Sequence, residues 1–90
     1  MKNKELLAAL SSDLKRIAMG IQRKSYKMAD RFAKEALARK KETDISLLDP
    51  YMQKILNNLD NVLQMKDSDK KAEYILMYST LVQNYSLFHK

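Results

Sequence analysis

The chain has 90 residues with one glycine, one proline, no cysteine, no tryptophan and one histidine. Each scarcity excludes something. Sheets need turns, and turns draw on Gly, Pro, Asn and Asp. Here such residues interrupt the helical pattern in two places, Thr43 to Pro50 and Lys66 to Asp69, while Asn57, Asp60 and Asn61 fall on the polar side of a helical stretch. Without cysteine there is no disulfide framework and no thiolate chemistry, which fits a reducing, cytoplasmic setting. With Gly20 as the single glycine there is no glycine-rich phosphate loop. The one histidine, His89, is next to last, a position where a tail residue is the expectation and not a base or a metal ligand.

Long apolar runs are missing too. Leu6 to Leu10 ends at Ser11, with Asp13, Lys15 and Arg16 close behind, so neither a secretory signal nor a membrane span is expected. The opening segment carries leucines on one face and lysines at its flanks. It has no tryptophan to anchor it in a lipid interface, and membrane binding is not expected.

What remains is rich in Leu, Lys, Ala, Met, Gln and Glu, the strong helix formers. The fold class expected is all-α, one helical domain over residues 1–90. The architecture is a small antiparallel bundle of three helices, or four if the first breaks near residues 20–26. The first segment, about Asn3 to Lys41, carries Leu7, Leu10, Leu14, Ile17 and Ile21 at alternating three- and four-residue steps. That stripe falters at Lys24 and resumes shifted through Met28, Ala29, Phe32 and Ala36. A lone glycine weakens a helix without ending it, and no Pro, Asn or Asp turn follows Gly20, so a continuous helix is the expectation.

The second segment starts near Asp49-Pro50, an N-cap followed by proline at the first helical position, and ends near Lys66. Ser46 with Asp49 is an alternative, earlier start. Met52, Ile55, Leu56, Leu59, Val62 and Leu63 form its apolar face. The third segment, about Asp69 to Phe88, is capped by Asp67 or Ser68. Its apolar arc is wide: Tyr74, Ile75, Met77, Tyr78, Leu81, Val82, Tyr85 and Phe88, with Leu76 and Leu87 nearly opposite. An unbroken first helix would span nearly 60 Å at about 1.5 Å per residue, roughly twice its neighbours. The overhang and the all-round apolar third helix both point to a homodimer.

The net charge of +6 is concentrated. Residues 14–41 hold ten basic side chains against two acidic ones, whereas residues 42–90 hold five basic and seven acidic. At 100° per residue Arg16, Arg23, Lys27, Lys34 and Lys41 fall within about 40° of one another, with Arg31 close by. Such a stripe suits phosphates or an acidic protein, and it also suits a plain solvated helix back. No zinc ligand set and no recognisable helix-turn-helix accompanies it, and Tyr26 is the one aromatic read as interleaved with the basic residues, Phe32 being assigned to the apolar stripe.

Catalytic arrangements are thin. Ser12 with Lys15 and Ser68 with Lys71 have the Ser-x-x-Lys spacing of some acyl-transfer enzymes, without the companion motifs. Asp67 and Asp69 lack the glycine and distal glutamate of a calcium loop and are better helix-capping residues. Tyr74, Tyr78 and Tyr85 suggest aromatic packing, not a cofactor site. There is no internal repeat. The sequence therefore points to a non-enzymatic interaction module without a cofactor. Its contact surface is either the apolar edge of Leu76, Leu87 and Phe88 or the basic stripe of Arg16, Arg23, Lys27, Arg31, Lys34 and Lys41. A nucleic-acid-binding accessory protein using that stripe is the alternative.

Overall fold

The described residues form four α-helices, α1 (Asn3–Gln22), α2 (Tyr26–Glu42), α3 (Pro50–Leu63) and α4 (Ser68–Phe88), with a short 3-10 turn at Ile45–Leu47. The computed structural model describes residues 2–88, so His89 lies outside the described residues. No strand occurs among the described residues. The all-α bundle expected from composition is therefore present, in its four-helix form.

The first segment is two helices, not one. Gln22 is the last residue of α1, Arg23 its C-cap, and Lys24 takes a left-handed backbone conformation with φ of 58°. Ser25 N–H then donates to the Gly20 carbonyl (2.7 Å) and Lys24 N–H to the Ile21 carbonyl (3.0 Å). These two bonds are those of a Schellman C-cap, a motif usually built on glycine. A lysine at that position gives no turn signal, which is why an unbroken helix is the natural reading of the residues alone. Gly20 serves the same corner by its missing side chain. A Cβ there would lie 3.0 Å from the Ala29 backbone nitrogen and 3.1 Å from the Ser25 carbonyl oxygen. The helices of the hairpin can approach this closely only over glycine.

With the break in place α1 is about 30 Å long, matched to α4 beside it. The overhang that favoured a second copy does not exist, and the chain closes on itself with extents of 36 × 21 × 20 Å. Helix α1 packs against both α2 and α4, and α3 packs against α4 and the end of α2, which places α2 and α4 at opposite corners of a square. Leu7, Leu10, Leu14, Ile17 and Ile21, the leucine stripe of the sequence, are all buried at its centre with Met52, Leu56, Leu59, Val62, Ile75 and Val82.

Three polar contacts set the register of α4. Ser79 Oγ donates to the Ser11 carbonyl across the α1–α4 seam (2.8 Å). Tyr78 and Tyr85 bury their rings and use their hydroxyls as acceptors, from Asn58 Nδ2 (2.9 Å) and the Asp49 N–H (3.1 Å). Pro50 opens α3 with Asp49 at the N-cap position, though the Asp49 side chain makes no capping hydrogen bond, and Asp67 Oδ1 accepts from the Asp69 and Lys70 amides to open α4.

Candidate interaction surfaces

Helix α2 fixes where the basic residues point. It buries only Ala29 and Ala36 fully, with Phe32 and Ala33 partly buried, because its other positions are charged or lie away from α1. Lys27, Arg31, Lys34 and Lys41 are exposed on the side opposite those alanines. The break turns α2 back along α1, so the six-residue stripe is folded, not straight. Arg23 sits in the turn. Arg16, on α1, is brought to the α2 side, where its guanidinium lies 5.3 Å from the centre of the Phe32 ring, with Arg31 5.6 Å from the same ring. Two guanidiniums on one ring are each favoured by its quadrupole. Ser12, Lys15, Arg16, Met19, Met28 and Phe32 line a shallow groove there. Met28 and Phe32 belong to the resumed apolar stripe of the sequence, but that they meet Met19 depends on the break, which spacing does not show.

Two basic residues outside the stripe are used internally. Asp13 is only 2% exposed, and its carboxylate accepts from Arg39 Nε at 2.8 Å. Lys40 Nζ reaches Asp60 at 3.2 Å, joining α2 to α3. Among the described residues the stripe itself makes one ion pair, the long Arg16–Asp13 contact of 3.9 Å. Arg23, Lys27, Arg31, Lys34 and Lys41 have no ion-pair partner among the described residues.

The second surface is the outer side of α4. Leu76 and Leu87 are exposed there, as expected, and so is Phe88, at 80%. Tyr74, Met77 and Leu81, assigned from periodicity to the inward arc, are also exposed. Ile75, Tyr78, Val82 and Tyr85 suffice to face α1 and α3, so the wide arc is only half used. No charged side chain occurs from Tyr74 to Phe88, in a chain that is 31% charged. That signal was legible in the sequence. Beside this face Tyr51 packs edge-on to Tyr85 with ring centres 5.7 Å apart. The Tyr51 phenol is held above its ordinary pKa by loss of water around it, with smaller contributions from Tyr85 and Asp49.

A cleft of about 200 Å³ lies between the start of α1 and the end of α4, lined by Asn3, Lys4, Leu7, Leu47, Leu48, Tyr85 and Ser86. Most of its polar groups are committed to structure: Asn3 is doubly bonded to the Asp44 backbone at 2.9 Å each way, Ser86 Oγ donates to the Gln83 carbonyl, and the Tyr85 hydroxyl accepts from the Asp49 N–H. Among the described residues no three His, Cys, Asp or Glu side chains come together as a metal site, and no helix is long and apolar enough to cross a membrane. No family model matches the chain, and no curated protein or solved structure matches it either.

Proposed function

We propose that this chain is a small non-enzymatic helical interaction module, an adaptor or regulatory subunit of the cytoplasm, that docks another polypeptide on the outer face of α4. The observation that carries this reading is the uncharged stretch from Tyr74 to Phe88, which leaves six large apolar side chains at the surface. Surface helices of soluble domains put charge on their outer side, and contiguous exposed apolar surface marks an interaction site. Leu76, Leu87 and Phe88 belong to that face.

The test compares polypeptides retained by the tagged chain with those retained by Leu76→Asp, Leu87→Asp and an Arg23→Glu/Lys27→Glu/Lys34→Glu variant. Docking on α4 predicts loss with the aspartates and retention with the charge reversals, all variants keeping their helical circular dichroism. The opposite pattern would sink it.

The exposed, unpaired face of Lys27, Arg31, Lys34 and Lys41 favours a second reading, a nucleic-acid-binding accessory protein. In that case affinity for duplex DNA falls steeply with salt, and the charge reversals abolish it.

A further inference from the structure

The exposed residues of α4 follow a spacing that says what covers them. Lys70, Tyr74, Met77, Leu81, Asn84 and Phe88 are separated by steps of 4, 3, 4, 3 and 4, and all six are exposed. An alternation of three and four is the 3.5-residue repeat of a coiled-coil seam, with Tyr74, Leu81 and Phe88 at one heptad position and Lys70, Met77 and Asn84 at the other. We propose that a second copy of this chain covers this seam, the two α4 helices pairing antiparallel about a two-fold axis that passes near Ser79. This rests on the reading of the outer side of α4 as a docking surface and names what covers its Tyr74, Met77, Leu81 and Phe88 seam, leaving Leu76 and Leu87 to the other polypeptide.

The pairing follows from the layers that the two orientations create. Antiparallel, with the two heptad positions meeting across the axis, Tyr74 faces Asn84 of the second copy, Met77 faces Leu81, and Phe88 faces Lys70. Every layer is complementary. The phenol hydroxyl meets a carboxamide, the thioether meets an isobutyl group, and the ammonium lies on an aromatic face. A two-fold axis repeats each contact, as an isologous interface requires. Parallel pairing sets Lys70 against Lys70 at the unpaired end, a like-charge contact with nothing to offset it.

Charge and area favour a second copy over other occupants. The chain carries +6, so an acidic partner would be drawn to α2 and away from a stretch with no charge. Two copies repel least through their neutral faces, and α2, with the basic residues, is at the opposite corner of the bundle. The exposed parts of the seam amount to on the order of 500 Å² per chain and about 1,000 Å² for the pair, the lower end for specific association. Leu76 and Leu87, 11 residues and so about 20° apart, both lie outside the seam.

Light scattering across a concentration series gives the first measurement. The expected result is a mass of two chains that is unchanged or strengthened by salt. Met77→Asp and Leu81→Asp should each weaken the dimer on the order of a hundredfold, by placing a carboxylate in an apolar contact. Leu76→Asp should leave it intact. The absence of native cysteine allows a second measurement that does not depend on a destabilising change. A mixture of Lys70→Cys and Phe88→Cys proteins should form a disulfide heterodimer on oxidation, and neither protein should cross-link alone.

Several results would overturn the proposal. Cross-linking of each protein alone would mean parallel pairing. A dimer that survives Leu81→Asp, or dissolves in salt, would place the interface elsewhere. A monomer that still retains a different polypeptide through α4 would refute self-pairing while leaving the docking reading standing. A monomer that binds vesicles of phosphatidylcholine and phosphatidylglycerol through α4, and retains no polypeptide, would refute both.

Discussion

Lys24 is a side chain in a backbone conformation that side chains resist. Its φ of 58° brings Cβ close to the carbonyl oxygen, at about 1–2 kcal/mol relative to glycine in the folded state. Glycine gives back part of this through its freer unfolded chain. Lys24→Gly should therefore stabilise the protein by about 0.5–1 kcal/mol, visible as a rise of several degrees in the thermal midpoint. Four residues earlier the sign reverses. Gly20 lies in a helix, where alanine normally adds about 1 kcal/mol. Here the added carbon meets backbone atoms of Ser25 and Ala29, which cannot rotate away as a side chain would. Gly20→Ala should lower stability by about 1–2 kcal/mol net, the overpacking outweighing the propensity gain. A rise in the midpoint would mean that the α1–α2 contact is looser than these distances imply. The same two residues explain why the break is hard to read: Gly20 signals a corner, but the left-handed position falls on a lysine, which carries no turn preference.

Helix α2 is held differently from the others. Where α1 buries six large aliphatic side chains, α2 contributes two alanines and the partly covered Phe32 and Ala33. Its far end is tied down by the Arg39–Asp13 and Lys40–Asp60 pairs. Asp13 is the critical group, because Arg39→Ala leaves a carboxylate within the fold with only the distant Arg16 to balance it. Breaking a buried pair in this way destabilises by about 3 kcal/mol. Asp13→Leu with Arg39→Leu removes both charges and should recover much of that loss. Amide exchange is the measurement: α2 should open before α1 and α4 in the wild type, and Arg39→Ala should speed α2 most. Uniform acceleration over all four helices would deny α2 its separate status. Ser46 and Ser68 competed with Asp49 and Asp67 as caps, and α3 ends at Leu63, short of the expected Lys66. The starts of α3 and α4 were nonetheless legible to within a residue or so, because Asp, Ser and Pro mark them. The inner side of α4 was not, because its apolar residues run nearly all round the helix. The positions of Ser11, Asn58 and Asp49, bonded to Ser79, Tyr78 and Tyr85, show which half is covered.

At the scale of the whole molecule two unlike surfaces stand at opposite corners of the bundle, a cationic one on α2 and a neutral apolar one on α4. The core between them uses neither, so each can be altered without unfolding the chain. Arg23→Gln/Lys27→Gln/Lys34→Gln lowers the net charge from +6 to +3 and touches no ion pair given by the fold. Its thermal midpoint should stay within about 0.5 kcal/mol equivalent of the wild type, as for other exposed substitutions. Any basic face of this kind binds duplex DNA at low salt by releasing counterions, with non-specific dissociation constants of about 10⁻⁴–10⁻⁶ M at physiological salt. The discriminating quantity is the slope of log affinity against log salt. If three of the replaced groups meet phosphates, the slope should shrink by about 2.7 in the variant. Wild-type binding that stays in the non-specific range, indifferent to DNA sequence, is the result expected of a protein-docking module whose lysines and arginines only keep it soluble. Binding orders of magnitude tighter, with the same loss of slope, would make α2 the working surface. The α4 seam would then serve to hold two such faces outward on one dimer.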